Sequence, residues 1–96
     1  MDIKREVTAG CTVEGSATIT IKPNDKKGIE IEYSDVSGLK GEYIRNRRFD
    51  VERFVKDACA KYGVNDAYFI VEDYVSYNHV IKRIIDEALQ EAIAQF

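Results

Sequence analysis

Apolar and polar residues alternate through the first third of the chain. Ile3, Val7, Ala9, Cys11 and Val13 share one parity, while Asp2, Lys4, Glu6, Thr8 and Thr12 fall on the other. This two-residue period predicts a half-buried strand, interrupted by Arg5, with Gly10 marking a bulge or an end. After Glu14-Gly15-Ser16 the period returns in Thr18-Ile19-Thr20-Ile21-Lys22, and again in Ile29-Glu30-Ile31-Glu32-Tyr33. Between these two strands, Pro23 to Gly28 supplies turn formers and charge where a hairpin loop is expected. From Ser34 to Arg48 no period holds, and Gly38, Gly41 and the basic run Arg45-Asn46-Arg47-Arg48 indicate a loop with room for a short helical turn.

A helical period follows. Asp50 is placed to cap a helix whose stripe is Val51, Phe54, Val55, Ala58 and Tyr62, with Gly63 placed to end it. Ala67-Tyr68-Phe69-Ile70-Val71 is apolar on both parities, as in a strand that is central or covered on both sides. Ser76 is placed to cap a last helix. Its stripe runs through Tyr77, Val80, Ile81, Ile84, Ile85, Ala88, Leu89, Ala92, Ile93 and Phe96. The expected fold is α+β, a two-layer sandwich in the order β-β-β-α-β-α. It has a mainly antiparallel sheet of about four strands with both helices on one face, since only that arrangement buries all the apolar stripes together. Thr18, Thr20, Glu30 and Glu32 would then lie on the sheet's other face.

Composition narrows the function more than it identifies it. Ninety-six residues, 45% hydrophobic and 32% charged, suit one globular domain spanning residues 1–96. A formal net charge of -3 gives no general attraction for nucleic acid or anionic lipid. The longest apolar run, Ala67 to Val71, is far short of the roughly 20 residues that span a bilayer. The charged start has no signal-peptide apolar region, so the expectation is a cytoplasmic protein without nucleic-acid or membrane partners.

The chemistry-bearing residues are scattered. Cys11 and Cys59 lack the close spacing of zinc or redox motifs and are expected to be reduced. One histidine, His79, falls in the first turn of the last helix and off its stripe, which makes it a surface residue. No HExxH, paired CxxC, GxSxG or GxxxxGK[ST] is present, so no metal site and no independent catalytic activity are expected. Glu30 and Glu32 alternate with isoleucines as solvated strand residues do, and with Glu14 and Asp35 they need no acid/base role. The Arg45 to Arg48 run reads as a solvated loop, or as a contact for phosphate or carboxylate groups. Ser16, behind Gly15 at the start of the second strand, is on its own residue chemistry a turn serine with an accessible hydroxyl.

A family resemblance adds to this. Ala9-Gly10-Cys11-Thr12-Val13-Glu14-Gly15-Ser16 followed by Ala17-Thr18-Ile19-Thr20-Ile21-Lys22-Pro23 resembles the N-terminal region of the citrate lyase acyl carrier (gamma) subunit, and is similar to the acyl carrier of malonate decarboxylase. Gly28-Ile29-Glu30-Ile31, Ser34-Asp35-Val36 with Gly41 and Ile44, and Tyr62-Gly63-Val64 leading to Glu72-Asp73 extend the likeness. In these families an Ala-Gly pair precedes a modified serine. An ungapped count from Ala9-Gly10 brings Glu14 to that position, whereas the strand register from Ser16 to Pro23 selects Ser16.

The resemblance implies a carrier with the prosthetic group 2'-(5''-phosphoribosyl)-3'-dephospho-CoA attached to Ser16 by a holo-carrier synthase. Its partners would be the lyase and acyltransferase subunits of a complex. Such a carrier needs no catalytic residues of its own. The rival expectation is an unmodified binding or scaffold module, which would hold a protein or an anionic ligand with the sheet face or the Arg45 to Arg48 segment.

Overall fold

The computed structural model describes residues 3–36 and 42–93. Its elements are β1 (Val7–Gly10), β2 (Ser16–Lys22), β3 (Ile29–Asp35), α1 (Glu42–Tyr62), β4 (Ala67–Tyr74) and α2 (Asn78–Ile93). The architecture is α+β in the expected element order. Gly38, Gly41 and Phe96, named above, lie outside the described residues, as does the side chain of Arg45.

The strand order is β1-β2-β4-β3. β4 therefore inserts between β2 and β3. It pairs antiparallel with β2, Ile19 opposite Val71, and parallel with β3, Ile31 opposite Phe69. The sheet is mainly antiparallel, as expected, with β3–β4 its one parallel pairing. One expectation changes: Pro23 to Gly28 does not close a hairpin, because β2 and β3 are not neighbours. The segment instead folds on itself through Asn24, whose side chain donates to the Gly28 carbonyl at 3.0 Å and accepts from the Lys26 amide at 3.2 Å. It is then pinned to the start of β4, with the Gly28 amide donating to Asp66 and the Ala67 amide donating to Gly28. A strand apolar on both parities gains most at the centre of a sheet, which is where β4 lies.

One face of the sheet makes the core. Ala17, Ile19 and Ile21 of β2 and Ala67, Phe69 and Val71 of β4 are fully buried. They form one cluster with Val51, Phe54, Val55 and Cys59 of α1 and Ile81, Ile84, Ile85, Ala88 and Leu89 of α2. The opposite parity carries Thr18, Thr20, Glu30 and Glu32 as expected. There the Tyr68 hydroxyl donates to Glu32 at 2.9 Å and Thr8 bonds Thr20 at 3.0 Å.

The first helix departs most from expectation. Asp50 is not a cap, because α1 has begun eight residues earlier at Glu42. No glycine or proline falls between Glu42 and Tyr62, and the Arg45 to Arg48 run lies within the helix rather than in a loop. The apolar period was hidden because Arg47 takes the inward position one turn before Val51 and is only 8% exposed. At the other end Gly63 closes the helix as expected. Its amide donates to Ala60 and that of Val64 to Cys59, the paired bonds of a Schellman cap.

α2 also starts later than expected. The carbonyl of Tyr77, rather than the side chain of Ser76, receives the first helical bonds, from Val80 and Ile81, both at 3.1 Å. Tyr77 consequently lies off the stripe and is 72% exposed.

β1 ends at Gly10, and Cys11 and Val13 are exposed rather than continuing the strand's inward row. Gly10 has φ +94°, and a side-chain carbon there would overlap the carbonyl oxygen of Ala17. Gly15 has a similar φ of +89° but open space around it. Gly15→Ala is therefore expected to cost only backbone strain, about 1–3 kcal/mol, whereas Gly10→Ala adds a backbone clash and costs more. Urea unfolding of the two variants checks this ranking, and equal stabilities would contradict it.

Candidate functional site

The turn joining β1 and β2 brings Ser16 to one end of the sheet. The Ser16 amide donates to the Val13 carbonyl at 3.1 Å, which closes the turn. The Gly15 amide donates to Tyr74 at 2.7 Å, which ties the turn to the end of β4. Ser16 is half-buried and stands opposite Tyr74 in the strand register. Its Oγ accepts from the Cys11 thiol at 3.3 Å. Once that thiol loses its proton the hydroxyl can donate in return, and together with the Val13 backbone this holds the Cys11 pKa below its ordinary value. Cys59 differs: burial in the core pushes its thiol up to about 11. The two cysteines occupy different environments and are both free thiols.

Near Ser16 the surface carries several exposed apolar side chains. Val13, Val36, Val75 and Tyr77 are exposed, and all four belong to this end of the sheet. A groove of about 380 Å³ is lined by Glu14, Gly15, Val75, Ser76 and Tyr77. The turn from β4 into α2 forms its far wall. Val75 in that turn has φ +61°, a conformation that is strained for a β-branched residue.

What holds this turn is a buried polar cluster that sequence reasoning missed. Asp73 continues the inward row of β4 after Ala67, Phe69 and Val71, and it is 1% exposed. Its Oδ1 accepts from the Ser76 amide at 2.9 Å and the Ser76 hydroxyl at 2.7 Å. Its Oδ2 accepts from the Tyr33 hydroxyl at 2.7 Å and from Arg47 Nε at 3.1 Å. The same guanidinium donates to the Ser76 carbonyl at 2.8 Å and to the Asn78 side-chain oxygen. Burial opposes the charge on Asp73, but the hydrogen bonds from Ser76, Tyr33 and Arg47 outweigh it, so its pKa lies below the ordinary value. Tyr33 shifts the other way, raised by burial and then by the neighbouring carboxylate.

Two sequence signals pointed at the cluster. Asp73 keeps the parity of the core row, and Arg47 stands one helical turn before Val51. Arg47 was read by its charge as part of a solvated loop, and Asp73 was given no place in the core.

The remaining candidates are not gathered into a constellation. Glu14 lines the groove, while Glu30 and Glu32 lie on the open face of β3. Asp35 ends β3 opposite Asp73. His79 is exposed in the first turn of α2, as expected, with its ring stacked on that of Tyr77 at a centroid distance of 5.9 Å and an interplanar angle of 11°. Among the described residues no group of three or more His, Cys, Asp and Glu is placed to hold a metal ion. No described helix is long and apolar enough to cross a membrane.

This fold and end-of-sheet serine define a small α+β protein with a half-buried serine at a rim that carries exposed valines and a tyrosine. The chain is similar to the citrate lyase acyl carrier protein of Halothermothrix orenii, with 29% identity over 92 residues, which cover 96% of this chain and 90% of that protein. The resemblance to the citrate lyase acyl carrier family, drawn above from short motifs, thus extends along nearly the whole chain. No family model matches it.

Two outcomes follow from the site's electrostatics. Because the folded pKa of Asp73 is depressed, its contribution to stability is complete above the ordinary carboxylate range, about pH 4, and is lost as pH falls through the depressed value. Asp73→Asn should be less stable at pH 7 by about 3–5 kcal/mol, since it strips Arg47 of its buried counter-charge. That deficit should shrink at acid pH in denaturant titrations, and a pH-independent deficit would contradict the assignment. In the native protein near pH 8, a thiol reagent should label Cys11 and spare Cys59, and Ser16→Ala should slow the labelling. Peptide mapping reads both.

Proposed function

We propose that this protein is an acyl carrier of the citrate lyase type, acting as one domain. It would bear 2'-(5''-phosphoribosyl)-3'-dephospho-CoA on Ser16 and serve lyase and acyltransferase subunits. The observation that carries the reading is the near full-length similarity to a protein named citrate lyase acyl carrier protein.

The local geometry supports Ser16 as the attachment residue. A primary hydroxyl at the rim of the sheet is accessible to a modifying enzyme, and Gly15 beside it leaves the approach open, with no atom within 4 Å of where a side chain would begin. Val75 and Tyr77 give the adjoining groove an apolar wall suited to a long organic arm. Glu14, the ungapped alternative, cannot form the phosphodiester of a serine hydroxyl.

When bound, the prosthetic group supplies a terminal thiol that carries the acyl group as a thioester. The chain's own residues position it. In attachment by the holo-carrier synthase, Ser16 Oγ forms a P–O bond with an activated precursor, the bond to the precursor's leaving group breaks, and the hydroxyl proton passes to the synthase or to solvent. Asp73, Arg47 and Ser76 hold the turn opposite Ser16, so the arm's root has a fixed wall beside it. Tethering keeps the acyl group at an effective concentration of order millimolar for each partner site in reach. A carrier of this kind does no chemistry of its own.

The rival binding-module reading loses much of its basis. Arg47 is buried against Asp73 and Arg48 pairs with Glu52 at 3.6 Å, so the basic run does not form a free loop for an anion.

Co-expression with the cognate holo-carrier synthase tests the proposal. Intact-mass measurement should find one added prosthetic group, absent from Ser16→Ala. That variant should keep its stability within about 0.5–1 kcal/mol, because the hydroxyl's only described side-chain bond is to an exposed thiol. A wild-type protein that stays unmodified, or a Ser16→Ala protein that is still loaded, would refute the assignment.

A further inference from the structure

A second depression adjoins the groove beside Ser16. It measures about 560 Å³ and is lined by Asn46, Arg47, Asp50, Asn78 and His79 together with Ser76 and Tyr77. The groove of about 380 Å³ that includes Gly15 is bounded by the same Ser76 and Tyr77. The two therefore share the Ser76–Tyr77 wall, one lying toward the β1–β2 turn and the other toward the start of α2. Each falls within the roughly 300–1,000 Å³ of small-molecule sites.

Tyr77 stands at the junction. It serves no core function, being 72% exposed, yet it is firmly held. Its carbonyl accepts the first two bonds of α2, and the residue before it is fixed by the Asp73 and Arg47 cluster. Its ring is nearly parallel to that of His79, which restrains a large aromatic surface that would otherwise sample many rotamers. The positive φ of Val75 sets the chain direction into this residue. Strained backbone, an exposed ring and a ready-made stack at one place are what a docking platform for a flat heterocycle requires. Polar groups lie beside it: the Asn78 side-chain oxygen is taken by Arg47, which leaves its amide to donate, and Asn46 is exposed in the same depression.

We propose that these two adjoining depressions are a parking site for the arm carried on Ser16, in which the arm's purine base stacks on Tyr77 beside His79 and its edge meets Asn46 and Asn78. The inference rests on the carrier reading for the identity of the occupant. Its geometry concerns residues that the attachment itself does not use. The site holds the nucleotide part of the arm against the carrier and leaves the acyl-bearing end free.

The test uses two samples so that the two readings fail separately. In the first, the unloaded protein is titrated with free 3'-dephospho-CoA while the aromatic resonances of Tyr77 and His79 are followed by NMR. In the second, the same resonances are compared between unloaded and synthase-loaded protein, with loading established by intact mass. Upfield shifts of both rings are expected in each sample. Tyr77→Ala should weaken binding of the free nucleotide about 5- to 150-fold, the range for loss of one base stack, and Tyr77→Phe should restore it. Tyr77→Ala should still accept the prosthetic group on Ser16. Free nucleotide that leaves both rings unshifted overturns the parking site whatever happens to Ser16. Loading without ring shifts does the same while leaving the carrier reading intact. Binding that survives Tyr77→Ala would place the base elsewhere.

Discussion

The contact between Asp73 and Arg47 is the constraint on which the functional end of this protein depends. A carboxylate at the last inward position of β4 and a guanidinium at the first described inward position of α1 are both removed from water, at a desolvation cost that Coulomb attraction alone need not offset. They are tolerated because nearly every polar atom is used. Ser76 and Tyr33 saturate the carboxylate, and Ser76 and Asn78 occupy the guanidinium. An apolar pair of similar volume could fill the same space, but it could not hold the β4–α2 turn by its backbone. The polar cluster thereby fixes Val75 and Tyr77, which in turn line the groove with Glu14 and Gly15, next to Ser16 in the chain.

This arrangement divides the molecule along the length of its strands. Over most of the sheet, isoleucines, valines and Phe69 meet the helices in a dry core that asks only for volume and shape. At the Ser16 end the same layers are joined by directional bonds. Specificity of geometry is concentrated beside the β1–β2 turn, and the apolar side chains left outside there, Val13, Val36, Val75 and Tyr77, are those a partner or a ligand can cover.

Much of the fold was legible because period and parity are direct consequences of burial. Element order, the core face of β2, the stripe of α2 from Ile81 to Ala92 and the end of α1 at Gly63 all follow from them. Pairing was not legible. Alternation says which side of a strand faces inward, and says nothing of whether β3 will join β2 through a short loop or β4 through a helix. The start of α1 was concealed for a related reason. Arg47 occupies an inward position whose charge reads as surface until Asp73, far off in sequence, is known to lie against it. Ser76 was misread as a cap because a serine before a helix commonly is one, and here its hydroxyl is turned back toward the strand. Ser16 stood out only through a family resemblance, since nothing in a turn serine's own chemistry marks it for modification.

The central place of β4 has a consequence for how the chain acquires its structure. The β1–β2 hairpin is local and can pair as soon as it is made, but β3 has no strand beside it until the last strand in sequence arrives. On the ribosome, β2 must therefore wait with one hydrogen-bonding edge unfilled, and β3 with both, while all of α1 is synthesised. Closure of the sheet and formation of the Asp73–Arg47 pair then become a single late event. The groove wall of Val75 and Tyr77 is built last, so any partner that reads that wall would act on a finished fold and pass over a nascent one.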